Sequence, residues 1–163
     1  MNNQSVIYLL FLFSITLHNI EEALWLPQWS KYAMKFHKQV EKDEFHFAVL
    51  VITLIAYLST SIFIFFPNVL FFKYLYFGFL GTMIINTIFP HLIATIIIKK
   101  YSPGLITGIL LQIPVNSLII VKSINSGVIS PYSLVLSTVV VGALLLLMIP
   151  VLFKIGTRLT SYN

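Results

Sequence analysis

Five apolar runs, at about 5–26, 46–66, 74–98, 103–121 and 131–153, dominate the sequence. A helix needs about 20 predominantly apolar residues to cross a bilayer, so each run predicts a transmembrane α-helix. The runs are continuously apolar rather than alternating, and an open sheet edge cannot satisfy its backbone in lipid, which excludes spanning strands. The chain is 58% hydrophobic and 9% charged, against roughly 45–50% and 25% in soluble domains. A soluble globular protein is therefore excluded. The expected fold is all-α: a polytopic membrane helix bundle, with residues 1–163 forming one integral membrane domain. The N-terminal run lacks the basic flank and small-residue cleavage site of a signal peptide and is expected to remain as a helix.

The charges predict the orientation. Lys31, Lys35, Lys38 and Lys42 in the first loop, Lys99 and Lys100 in the third, and Lys154 and Arg158 at the C-terminus share one side. Only Lys73 and Lys122 lie on the other. The bias places the N-terminus outside and the C-terminus in the cytoplasm. The net charge of +5 thus reads as membrane anchoring, with no nucleic-acid partner. In the first loop Trp29, Ala33, Phe36 and Val40 share one helical face and the four lysines the other. This predicts an interfacial amphipathic helix over about 29–43. The sequence has no cysteine, which excludes disulfides and thiolate ligands; any metal must be held by His, Glu, Asp or Asn.

Two of the five acidic residues, Glu21 and Glu22, sit inside the first run with His18 before them. A charged group at mid-bilayer costs ~2.5–3.5 kcal/mol even on lenient insertion scales, so the pair needs partners. His18, Glu21 and Glu22 fall at i, i+3 and i+4 and are expected to project from one helical face as one site. Adjacent carboxylates in low dielectric must share a proton, meet a cation or see water. A divalent metal would neutralise both.

Depth brings in the third run. At 1.5 Å per residue His18 lies ~20 Å from Ser5, while Asn86 and His91 lie ~18 and ~26 Å from Tyr74 in a run of the same direction. The three share a level in the inner half of the bilayer. Pro90 removes the donor for the Asn86 carbonyl and predicts a kink there. Thr87, His91 and Thr95 repeat at four-residue spacing as a polar stripe. The fourth run opens with Tyr101-Ser102-Pro103-Gly104, which predicts Ser102 as N-cap and Pro103 as the first helical residue; the Tyr101 hydroxyl is expected to face the site. Gly104, Gly108, Gln112 and Asn116 share a face, and Pro114 predicts a kink near Leu110. His46 reads as an interface residue, His37 as a solvated one, and the fifth run as lipid-facing scaffold.

His18-Asn19-Ile20-Glu21-Glu22, a second histidine at His91 and Tyr101-Ser102-Pro103-Gly104 occur in an order that resembles a family of bacterial membrane proteins of unknown function named for its HXXEE motif. The resemblance covers His18 to about Pro114. It implies a bacterial cytoplasmic membrane protein and a set of enzyme-like positions, with no established reaction. A Glu-Glu pair with a His and an Asn on other helices is also similar to CAAX-type intramembrane proteases, but Trp25 stands where those carry an arginine.

Two functions compete on these residues. In the first, His18, Glu22 and His91 bind a divalent metal, zinc above others, matching the two-His, one-carboxylate set of catalytic sites. Glu21 then serves as general base or second carboxylate ligand, and Asn86 or Tyr101 stabilises an oxyanion. This describes a hydrolase-like membrane enzyme acting on a lipid or membrane-embedded substrate, with a homo-oligomer compatible. In the second, the same residues conduct protons, metal ions or a small solute. A third reading leaves them as a polar core that fixes helix packing.

Overall fold

The computed structural model describes residues 3–34 and 39–160. Among the described residues it is all-helical, with five helices long and apolar enough to cross a membrane. We label these α1 (Val6–Ala33), α2 (Lys42–Phe65), α3 (Leu70–Ile98), α4 (Leu105–Asn125) and α5 (Pro131–Leu159). α1 packs against α2 and α4, whereas α3 packs against α2, α4 and α5. α5 rests on α2 and α3 and leaves many large apolar side chains exposed.

One half of the bundle is an aromatic core built from Tyr8, Phe11, Phe63, Tyr76, Phe77 and Phe79. Phe63 stacks on Tyr76 with ring centroids 4.9 Å apart, and the Tyr76 hydroxyl donates to the Tyr8 carbonyl at 3.0 Å. His18 lies ten residues further along α1, about 15 Å by the helical rise. Apolar packing and polar chemistry thus occupy different levels of the same helices.

α1 does not stop before Pro27, where the first apolar run ends; the α-helix continues to Trp29 and closes with a tight turn over Ser30–Ala33. A proline inside a helix leaves the carbonyl four residues earlier without its donor, here that of Ala23. His46 Nε2 donates to that carbonyl at 2.8 Å, so its role is to close the gap that Pro27 opens. Asn19 donates to Thr53 at 2.7 Å, and Thr16 meets Tyr57 at 3.0 Å, on the same side of α1. These bonds tie α1 to α2.

The expected amphipathic helix over 29–43 is not continuous. Ser30–Ala33 belongs to the end of α1, residues 39–41 are not helical, and Lys42 already opens α2. Lys35, Phe36, His37 and Lys38 lie outside the described residues. Local capping wins over amphipathic periodicity. The Ser30 hydroxyl donates to the Pro27 carbonyl at 2.7 Å and accepts the Val40 N–H at 3.1 Å, which turns the chain back. Glu41 and Glu44 then form a reciprocal capping box that starts α2 four residues before His46.

α3 is interrupted rather than gently kinked. Its first part runs over Leu70–Asn86, Phe89 is extended at φ −128°, ψ 114° before Pro90, and helix resumes at Ile93–Ile98. α4 starts two residues later than Pro103, because Gly104 takes the capping position at φ +97°. Its turn widens over Gly108–Gln112, as Pro114 leads one to expect. The small residue Gly108 lets α4 approach α3 so closely that a Cβ there would lie 2.5 Å from Thr87 Cγ2.

Candidate metal centre

The break in α3 turns His91 inward. His91 is 1% exposed, His18 on α1 is also 1% exposed, and their rings meet edge to face with centroids 5.3 Å apart. His91 Nε2 lies 2.8 Å from Glu22 Oε1, and His18 Nε2 lies 3.6 Å from the same oxygen. One ligand atom from each of His18, Glu22 and His91 falls within 4.8 Å of the other two, a group that could hold a metal ion. Asn86, one turn before the break, places Nδ2 3.3 Å from His18 Nε2 and 3.2 Å from His91 Nε2.

The outer ring nitrogens are held separately. Thr107 Oγ1 donates to Glu21 Oε2 at 2.5 Å, so its lone pairs face His18 Nδ1 at 3.1 Å. That hydroxyl can only accept from Nδ1–H, which turns the Nε2 lone pair of His18 to the centre, where the Asn86 amide donates to it at 3.3 Å. His91 Nδ1 lies 3.4 Å from Ser102 Oγ, which can donate or accept. Held outer nitrogens of this kind orient metal-ligating histidines. Two imidazole nitrogens and one carboxylate oxygen are a set that could hold a metal ion.

Gly104 makes the space. A Cβ at this position would lie 2.7 Å from His91 Cε1 and 3.0 Å from His18 Cε1, and φ of +97° disfavours any L side chain. Only glycine lets the α3–α4 turn pass this close to both rings.

Glu21 does not join the ligand group. Oε1 accepts from the Tyr101 hydroxyl and from the Gly104 N–H at 2.8 Å, while Oε2 accepts from the Thr107 N–H at 3.0 Å as well as from its hydroxyl. The carboxylate is therefore an anionic cap on the first turn of α4, where backbone N–H groups and the helix dipole favour negative charge. Glu21, expected as general base or second ligand, thus stands outside the His18, Glu22 and His91 group, with both oxygens accepting hydrogen bonds from residues 101–107. Tyr101 faces the site as expected, but its hydroxyl is committed to Glu21 and accepts the Ile106 N–H at 3.2 Å.

The family described as a protein of unknown function with HXXEE motif matches residues 9–119, more than half of the chain. The chain belongs to the HXXEE family. Uncharacterized protein YrkK of Bacillus subtilis (strain 168) is 55% identical over 150 residues, covering 92% of this chain and 95% of its own length. No solved structure matches.

In HXXEE terms, the first and last motif residues, His18 and Glu22, meet His91, while the middle glutamate serves the Tyr101-Ser102-Pro103-Gly104 turn. Ser102 is not the N-cap of α4. Its N–H donates to Thr95 Oγ1 at 2.9 Å, and Thr95 in turn donates to the His91 carbonyl at 2.9 Å. Thr107 was not legible as a site residue beforehand. The available signal was its position three residues after Gly104, in the first turn of a helix whose N-terminus must meet the glutamates.

Proposed function

We propose that this HXXEE protein is a metal-dependent, hydrolase-like enzyme of the membrane, acting on a lipid or another membrane-embedded substrate. The observation that carries the reading is the convergence of two imidazole nitrogens and one carboxylate oxygen, from the buried His18 and His91 and the part-buried Glu22, among apolar helices. Zinc is the ion that this donor set favours, and when bound it supplies a water of pKa near ~7 and polarises a carbonyl. His18 and His91 would hold the ion with the ring nitrogens that face Glu22, while Thr107 and Ser102 hold the far side of each ring. Glu22, 14% exposed, supplies the negative charge. Asn86 stands beside both Nε2 atoms, where its amide donates to an oxyanion. Glu21 and Tyr101 act as positioning residues that hold the first turn of α4 against the rings. On the charge bias the centre lies in the cytoplasmic half of the bacterial cytoplasmic membrane.

A buried polar file favours the conduit as second reading. Asn116 donates to Gln112 Oε1 at 2.9 Å, Ser14 donates to the same oxygen at 3.4 Å, and Ser14 stands one turn from His18.

Reconstitution separates the two. The enzyme reading expects hydrolysis of a fluorogenic acyl-ester lipid in vesicles, stopped by a chelator, restored by zinc and abolished in Glu22→Gln. Proton or metal-ion flux that needs Glu22, with no turnover of any ester or amide lipid, would replace it with the conduit.

A further inference from the structure

A groove of about 760 Å³ runs along the outside of the bundle between α1 and the start of α4. Its walls are hydrocarbon: Leu17 and Leu24 of α1 and Ile106 of α4 are 48%, 59% and 55% exposed. Glu21 and Thr107 bond to each other and Glu21 is only 6% exposed, so the remaining polar lining, Gln28 and Trp29, lies towards the Tyr32 end. Around Leu17, Ile20, Leu24 and Ile106 the side chains offer a peptide backbone none of the hydrogen bonds it would need in lipid. The occupant of this stretch is therefore hydrocarbon.

One end of the groove differs. Tyr32, Trp25 and Tyr101 line it there, and Lys100 places its ammonium 3.9 Å from the centre of the Tyr32 ring. Aromatic rings and a lysine at the end of an apolar track mark the level of lipid headgroups. The Glu21 carboxylate is closed in by its donors, so the cation governs the field at the mouth.

We propose that this groove holds an acyl chain of an anionic glycerophospholipid, with the lipid phosphate at Lys100. The chain follows Leu17, Leu24 and Ile106, and the headgroup sits between Tyr32 and Tyr101. The volume lies within the ~300–1,000 Å³ of small-ligand sites. The proposal stands on the groove and its cation, independently of metal occupancy at His18, Glu22 and His91.

Both tryptophans of the chain, Trp25 and Trp29, line this groove, which gives the test its probe. Intrinsic fluorescence is measured in phosphatidylcholine vesicles carrying either brominated-chain phosphatidylglycerol or brominated-chain phosphatidylcholine at equal mole fraction. The anionic lipid is expected to quench preferentially. Lys100→Gln is expected to cut its relative affinity about fivefold, the equivalent of ~1 kcal/mol for one basic residue at the surface. Lys122→Gln, at the far end of α4, is expected to leave the preference unchanged. Equal quenching by the two lipids, or a preference indifferent to Lys100→Gln, would overturn the proposal. Relief of quenching by water-soluble glycerol phosphate would also overturn it, because the headgroup alone would then occupy the site.

Discussion

His18 Nδ1 lies 3.1 Å from Thr107 Oγ1, and that contact, joining α1 to the first turn of α4, decides which nitrogen of His18 faces the centre. Thr107 can accept there because its hydroxyl hydrogen is donated to Glu21. The middle glutamate of the motif thus acts on His18 without touching the ligand group. Thr107→Val is expected to lower metal affinity by about 10–100-fold, the usual cost of losing an outer partner of a ligand. Thr107→Ser keeps the hydroxyl and is expected to retain affinity. Competition titration with a chromogenic chelator checks both.

Gly104→Ala is expected to impair the centre more than its size implies. The new Cβ meets both rings, and the backbone sits at φ +97°. A substitution at positive φ destabilises by more than ~1 kcal/mol through the backbone alone. Thermal unfolding in detergent should show that loss together with reduced metal retention. Gly127→Ala provides the comparison, since its φ is +69° but nothing lies within 4 Å of the added Cβ. It should lose stability and keep the metal.

Pro27 and His46 are predicted to be energetically coupled. His46→Ala leaves the Ala23 carbonyl without its donor and is expected to cost about 1–3 kcal/mol, the penalty for an unsatisfied acceptor. In a Pro27→Ala background the helix regains its own donor for that carbonyl. The cost of His46→Ala should shrink there, as a double-mutant cycle on unfolding would register. Additive losses would place the role of His46 elsewhere.

Tyr101 gives a pH dependence. Partial burial and then its hydrogen bond to Glu21 push the phenol from 10.0 up to about 12. A pKa raised in the folded state gives stability that is complete below the unfolded value and lost as pH rises through the folded one. The contribution of Tyr101 is therefore intact below pH 10 and declines between 10 and about 12. The late-ionising absorbance at the tyrosinate band should fall by one tyrosine in Tyr101→Phe, and that variant should lack the corresponding loss of stability.

The five spans are legible in the sequence because burying hydrocarbon in lipid leaves helices as the only open form. Their ends are less legible. α1 passes Pro27 because His46, distant in sequence, satisfies Ala23, and α2 starts early because Glu41 and Glu44 cap it. Within the site, the spacing from His18 to Glu22 and the shared depth of His91 locate the ligand group from sequence. Glu21 and Glu22 were expected to act together, yet neighbours on a helix diverge by about 100°. One meets His91 on α3 and the other the start of α4. Thr107 and Gly104 gain their roles only from the approach of α4 to both rings, which no local pattern encodes.

We propose that His18, Glu22 and His91 form one metal centre. Elemental analysis of the protein purified in detergent tests it most directly, alongside His18→Ala, His91→Ala and Glu22→Gln variants shown to be folded by circular dichroism. About one zinc-type divalent ion per chain is expected in the unaltered protein, in line with a donor set of two histidines and a carboxylate, and little in any variant. Metal absent from the unaltered protein after zinc loading, or retained equally by all three variants, would contradict it.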